Sequence, residues 1–347
     1  MHKIVAALLI ALILPVSAEE VAPGVLRTSD AQFENLSGYP FQPNYMQING
    51  LRVHYLDEGP RDGAPVFLLH GEPTWSYLFR TMIPTLVAEG HRVIAPDMIG
   101  FGRSDKLVDR NAYSYLMHVD MMSQLVTNLD LVDATFFGQD WGGLVGLRVV
   151  AAQPDRFARV VVSNTGLPAA EGIAARVAPL VFRFLAWWQG ETTIEELIEK
   201  GSFPAWVAYS YYGEDMAVGK VMEFLGGIED RDVIRGYEAP FPEARYKAGA
   251  QIFPSLIPTQ LTENEAAWKN VFEKWEKPFL VAFTDEDPVT SGTDMAQQFE
   301  ERVPGATAVT IKGVGHFVQE EVGPQLAQLM NDFIAGRPVA GFSKAAD

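Results

Sequence analysis

Thr135-Phe-Phe-Gly138-Gln-Asp140-Trp-Gly-Gly143 is the stretch on which the fold turns. Residues 135–137 are a short apolar run, as a strand buried on both faces requires. Residues 142–152 take up a helical pattern at once. Between them, Gly138 and Gly142 flank Asp140 in a G-x-Nu-x-G arrangement. Glycines there permit a tight turn and close strand–helix packing, which lifts the middle side chain clear of the backbone. An aspartate so placed has an ordinary role open to it, as N-cap of the following helix. It also has a chemical one. A carboxylate is ionised at neutral pH and needs no base to become a nucleophile. It suits displacement of a leaving group from sp³ carbon better than attack on an amide or ester.

The same rhythm extends on both sides. Val66–Leu69 ends at His70-Gly71, Arg92–Ala95 at Pro96-Asp97, and Arg159–Val162 at Ser163-Asn164. Pro278–Phe283 and Thr307–Lys312 resume it after a gap. Helical patterns over 77–89, 114–130 and 321–335 alternate with these runs, which predicts an α/β fold: a mostly parallel central sheet flanked by helices. Tyr45 to Leu56 alternates around Asn49-Gly50, a hairpin signal. Residues 168–260 break the rhythm with Trp187-Trp188, Trp206, Tyr209, Tyr211-Tyr212 and Pro240-Phe-Pro242, and read as an inserted helical cap. The expected division is a core of 19–167 and 261–336, a cap of 168–260 and a tail of 337–347 that frays. Residues 19–44 read as an arm laid over the core.

The chain has 347 residues, 48% of them hydrophobic, and a formal net charge of −17. That is enough chain for a large core. Nucleic acid and anionic membrane surfaces are poor partners for such a charge. There is no cysteine, so disulfides are excluded. Lys3, an apolar run from Ile4 to Leu14, Pro15 and Val16-Ser17-Ala18 read as a secretory signal cleaved after Ala18, which implies a periplasmic or secreted protein. The run is short for a bilayer span, and no integral membrane association is expected.

Two further loops lie where partners of Asp140 belong. Thr284-Asp285-Glu286-Asp287-Pro288 follows one predicted strand and Gly313-Val-Gly315-His316-Phe317 the next. The order nucleophile, acid, histidine is that of the α/β-hydrolase fold. Asp287 is favoured over Asp285 as the acid because it lies one step into the loop and before proline, which holds its backbone extended. In that fold the loop after the first buried strand supplies one oxyanion donor and the residue after the nucleophile the other. Those donors are the backbone N–H groups of Glu72 and Trp141.

Four motifs together, His70-Gly-Glu-Pro-Thr-Trp-Ser-Tyr-Leu, Gly100-Phe-Gly-Arg-Ser-Asp105, Gln139-Asp-Trp-Gly-Gly and Gly315-His-Phe-Val-Gln-Glu320, resemble those of the haloalkane dehalogenases, over about residues 45 to 335. The match is to the branch with Glu in the oxyanion loop. The resemblance implies that two indole N–H groups grip the halide: Trp141, and Trp206 in Phe203-Pro-Ala-Trp206. It implies hydrolysis of a small apolar halogenated substrate by water to a primary alcohol, halide and a proton, through an alkyl ester on Asp140. No cofactor and no metal are expected. A monomer is the expectation for the assembly.

An epoxide hydrolase is the nearest rival. It shares the aspartate and would use cap tyrosines such as Tyr209, Tyr211 or Tyr212 to protonate the epoxide oxygen. A haloacetate dehalogenase would need an arginine clamp where Trp141 stands. A serine esterase lacks its serine. A non-catalytic small-molecule binding protein on this fold would keep the pocket but not the filled triad positions.

Overall fold

The computed structural model describes residues 19–200 and 202–344. Residues 1–18, the segment expected to be a secretory signal, lie outside them. The chain opens with β1 (Glu19–Ala22) and β2 (Val25–Arg27), then the hairpin β3 (Asn44–Ile48) and β4 (Leu51–Glu58), then β5 (Pro65–Leu69). Asn49 and Gly50 at the hairpin tip both have positive φ, as the sequence signal requires. There follow α1 (Ile83–Ala88), β6 (Arg92–Pro96), β7 (Lys106–Leu107), α2 (Tyr115–Asn128), β8 (Ala134–Gln139), α3 (Trp141–Ala152) and β9 (Phe157–Ser163).

Seven helices come next: α4 (Gly172–Gln189), α5 (Ile194–Lys200), α6 (Phe203–Tyr212), α7 (Val218–Gly226), α8 (Arg231–Glu238), α9 (Ala248–Leu256) and α10 (Leu261–Asn270). The chain then closes the core with β10 (Phe279–Thr284), α11 (Met295–Arg302), β11 (Thr307–Ile311) and α12 (Val318–Ile334). Among the described residues no strand interrupts α4 to α10, in line with the helical pattern expected there.

The eight-stranded sheet runs β11-β10-β9-β8-β5-β6-β4-β3. From β6 to β11 its neighbours are parallel; β4 pairs antiparallel with both β3 and β6. β8 is buried along its whole length. The chain builds outward from β5 in one direction to β6, then returns to lay β8 on the other side. The strand order therefore reverses between β5 and β8, and the crevice beyond their C-terminal ends is where open α/β sheets bind ligands. Both the Glu72 loop and Asp140 emerge there.

Two expectations need correction. The single helix over 77–89 is a 3-10 turn at Ser76–Phe79 followed by α1 from Ile83. Pro84 has no N–H to give and is tolerated only in a first turn, so the α-helix starts beside it. The tail does not fray over 337–344. Lys312 N–H donates to Phe342 O at 2.8 Å and Lys344 N–H to Lys312 O at 2.9 Å, so the tail pairs with the backbone of the residue that follows the edge strand β11. The arm is tied down as expected: β2 pairs with β7, and the Thr28 hydroxyl donates to Pro240 O at 2.7 Å.

Among the described residues no helix is long and apolar enough to cross a membrane, and no cluster of His, Asp or Glu could hold a metal ion.

Candidate active site

Asp140 sits between β8 and α3 with φ 52° and ψ −129°, a region that a side-chain-bearing residue occupies only when its surroundings force it. Here they do. A Cβ on Gly142 would lie 1.8 Å from Leu69 O, so the helix can approach β5 only with glycine at that position. Asp140 N–H donates to Asn164 O at 3.1 Å, and the Thr165 hydroxyl donates to Asp140 O at 2.7 Å. Both flanks of the turn are thereby fixed to the end of β9.

The carboxylate faces three groups. Glu72 N–H donates to its Oδ1 at 2.7 Å. Gly71 lies so close that a Cβ there would come 2.3 Å from the same oxygen. The other oxygen, Oδ2, lies 3.7 Å from His316 Nε2. Trp141 is the first residue of α3, so its N–H has no acceptor within the helix and points to the same side as the helix N-terminus.

His316 is buried, and its Nδ1 lies 3.0 Å from Asp287 Oδ1. Asp287 also accepts from Val289 N–H at 2.8 Å and from the Thr290 hydroxyl. Asp285 is turned away and accepts from Gly313 N–H at 2.7 Å. Asp140, His316 and Asp287 thus meet, and the choice between the two loop aspartates falls on Asp287. Burial alone would depress the imidazole, but the Asp287 and Asp140 carboxylates outweigh it and push its pKa up to about 10. Burial likewise works to raise Asp287, while the imidazole and the two hydrogen bonds hold it below the ordinary carboxylate range. At Glu72 the His316 charge compensates too little. Burial, reinforced by the Asp140 charge, pushes its carboxyl well above the usual value, and its Oε1 has no hydrogen-bond partner among the described residues.

Two side chains that the sequence did not single out belong to this network. Gln139 is fully buried at the end of β8. Its Nε2 lies 3.0 Å from His316 Nε2 and donates to His316 O at 3.2 Å. Asn164, with φ 43°, donates from Nδ2 to the Thr284 hydroxyl and to the carbonyls of Gly315 and His316. Together they pin the histidine loop to β8, β9 and β10. His70 is structural: its Nε2 accepts from Met98 N–H at 3.0 Å.

Above these groups lies a cavity of about 510 Å³. Glu72, Asp140, Trp141 and His316 form its floor, and Phe182, Phe203, Trp206 and Leu225 from the inserted helices line the other side. Phe241 is not among the lining residues and is buried against Phe101, with ring centroids 6.5 Å apart. Among the indoles, Trp275 is buried outside the cavity lining and its ring N–H has no partner among the described residues. Trp75 and Trp268 donate their ring N–H to Gly236 O and Leu167 O, each at 2.9 Å. Trp141 and Trp206, which line the cavity, have no protein acceptor for theirs among the described residues.

The cap tyrosines do not reach this space. Tyr209 accepts Ala217 N–H on its hydroxyl at 2.8 Å, Tyr211 and Tyr212 pack on each other, and no tyrosine is among the lining residues. The epoxide reading therefore loses the acids it needs.

Residues 64–322 match the family model of the alpha/beta hydrolase fold. Over 325 residues, 90% of this chain and 99% of the relative, the sequence is 44% identical to a haloalkane dehalogenase of Psychrobacter cryohalolentis. The chain belongs to the haloalkane dehalogenases. A second dehalogenase of the family, from Mycolicibacterium paratuberculosis, is 42% identical over 88% of this chain and 96% of its own. Among solved structures, the haloalkane dehalogenase DpaA of Paraglaciecola agarilytica superposes with a TM-score of 0.74 at 32% identity, covering 88% of this chain and 96% of that one. That dehalogenase is a tetramer, whereas the sequence reading of this one led to a monomer.

Proposed function

We propose that this dehalogenase splits the carbon–halogen bond in two steps through an alkyl ester on Asp140. The observation that carries the reading is the cavity itself: the Asp140 carboxylate on its floor, and in its lining the indole N–H groups of Trp141 and Trp206, which have no protein acceptor among the described residues. A halide is a diffuse anion. Indole N–H is a neutral donor with no acceptor capacity, so a pair of them stabilises the departing charge without a cation that would retain it.

In the first step Oδ2 of Asp140 attacks the halogen-bearing carbon in line, and the halide leaves toward Trp141 and Trp206. Oδ1, already held by Glu72 N–H, becomes the ester carbonyl oxygen. In the second step His316 Nε2 takes a proton from water, which attacks the carboxyl carbon of that ester. The Glu72 and Trp141 N–H groups hold the oxyanion, and Asp287 orients the ring and stabilises its charge. Water and haloalkane go to alcohol, halide and a proton.

The electrostatics order the two steps. While Asp140 is free, two carboxylates hold the imidazole protonated. Esterification removes one of those charges, the ring pKa falls, and the base is released for the second step. Gln139 Nε2, 3.0 Å from His316 Nε2, can donate to the ring only when it is neutral, and so favours that form in the same sense.

Replacing His316 by phenylalanine removes the base and leaves the nucleophile. Incubation with 1,2-dibromoethane should then leave Asp140 alkylated, seen by intact mass and peptide mapping. Halide release by the parent enzyme with no adduct at Asp140 in the variant would sink the mechanism. Export through residues 1–18 remains our reading of the leader pattern. N-terminal sequencing of the protein from its native host should begin at Glu19, and a chain still carrying Lys3 would overturn it.

A further inference from the structure

The apolar residues of α4 do not all face the protein. Ile173, Val177, Leu180, Phe184 and Trp187 recur at intervals of four, three, four and three, and all of them are exposed. The values reach 79% for Ile173, 67% for Leu180 and 61% for Trp187. Val181 and Trp188, the latter 75% exposed, widen the same stripe. The opposite side of the helix is already occupied: Ala175 and Ala186 are buried, and Phe182 lines the active-site cavity. An amphipathic cap helix would turn water-compatible residues outward. This one is apolar on both sides, with Arg176 and Arg183 as its only charges.

The size of the stripe says what covers it. From the fractional exposures, and about 150–250 Å² for each aromatic side chain, it leaves roughly 1,000 Å² in water. The largest apolar patch on an ordinary monomer is about 300–600 Å². A standard protein interface buries about 800 Å² per partner. The four-three spacing is the seam that a second helix reads, because it keeps one face in contact over several turns. A lipid surface requires no such register, and a chain of net charge −17 is repelled by anionic headgroups.

We infer that α4 is a self-association surface, on which two copies of this chain pair stripe to stripe about a two-fold axis. The same patch serves both subunits, so it is complementary to itself and the contact closes. The sequence expectation of a monomer then fails for an identifiable reason: the spacing was present, but only the fold shows that this face of the helix points outward. Since Phe182 on the inner side is a cavity wall, the contact also fixes one wall of the substrate pocket.

The test uses sedimentation velocity and light scattering on the full chain between nanomolar and micromolar concentrations. The parent protein should associate. The double variant Leu180→Glu, Phe184→Glu should be monomeric over the same range, with a dissociation constant raised at least about 100-fold and an unchanged circular dichroism spectrum. A parent protein monomeric throughout overturns the inference, and so does a folded double variant that associates like the parent. Should the double variant not fold, the absence of native cysteine supplies a second route. Single variants Val177→Cys, Leu180→Cys and Phe184→Cys should give disulfide-linked dimers on mild oxidation, while Val132→Cys, exposed elsewhere, should not. No cross-link at any of the three overturns it. Flotation of monomers with phosphatidylcholine–phosphatidylglycerol vesicles, without self-association, would also overturn it and assign the stripe to lipid.

Discussion

The floor and the roof of the cavity are built in opposite ways. On the floor each reacting group is fixed by backbone geometry and buried hydrogen bonds. Asp140 is held in a strained turn by glycine contacts, and His316 is gripped at its ring by Asp287 and at its carbonyl by Gln139 and Asn164. The roof offers Phe182, Phe203, Trp206 and Leu225, which are placed by apolar packing alone. A directional network fails when one atom moves, whereas apolar packing adjusts. On the proposed mechanism the chemistry is therefore set in the core, and substrate range and halide affinity are set where substitution is tolerated.

The sharpest way to break that contrast is to add one methyl group on each side. Gly142→Ala places a Cβ 1.8 Å from a backbone oxygen of β5, which cannot retreat without unpairing the strand. The expected loss is at least about 4 kcal/mol, or failure to fold at all. Phe182→Leu in the roof should cost only about 1 kcal/mol and shift KM among chloroalkanes of different length. Urea unfolding of both variants decides. Similar losses would mean that the roof is as rigid as the floor.

Trp206→Phe probes the roof's single polar duty. The ring is kept and the N–H is lost, so folding should change little. A hydrogen bond to a charged group contributes about 1.5–3 kcal/mol, so bromide and chloride dissociation constants should rise by about 10- to 100-fold. Halide quenching of the remaining indole fluorescence measures this. Unchanged constants would take Trp206 out of the halide site.

How far the sequence could be read follows the same division. The elbow was legible because its requirement is local: two glycines about one residue between a buried run and a helix. Asp287 and His316 were legible because each follows its strand by a few residues. Gln139 and Asn164 were not, since their partners arrive from β10 and the loop after β11, and nothing in the local pattern announces that crossing. A buried polar residue at a strand end beside the nucleophile was the available signal, as such groups must find partners. In the cap, helix content was legible from composition, but the facing of each helix was not. Trp206 was reached through resemblance alone. The outward stripe of α4 escaped because heptad spacing reads alike whether it faces a core or a partner.

Gln139 tests whether the floor tunes protonation as well as position. Its amide nitrogen lies 3.0 Å from His316 Nε2 and can donate only to the neutral ring, which it thereby favours. Gln139→Met removes the donor at similar volume, so the imidazole pKa should rise. Ester hydrolysis needs the neutral ring; its rate climbs as pH rises through that pKa, and the limb should move to higher pH by roughly one unit. At neutral pH the second step should slow about tenfold, since one unit is about 1.4 kcal/mol. The pre-steady-state halide burst should stay as it is. A purely structural role would lower both steps together and leave the limb in place.

The smallest effect is expected at Glu72, and the smallness is the point. Burial and the neighbouring Asp140 charge raise its carboxyl well above the ordinary range, which favours the neutral acid. A charged Glu72 would place a second anion beside the nucleophile and oppose departure of the halide. Its useful atom is the backbone N–H on Asp140 Oδ1, which no side-chain change removes. Glu72→Gln copies the protonated form in shape and charge, so kcat and KM should stay within a few-fold of the parent, less than about 1 kcal/mol. Glu72→Lys is the informative contrast. It keeps the backbone donor but puts a cation at the floor, which would bind halide too well and slow its release. A large loss of kcat in Glu72→Gln, with the burst abolished, would mean that the carboxylate itself takes part, and the floor would then hold two acting acids instead of one.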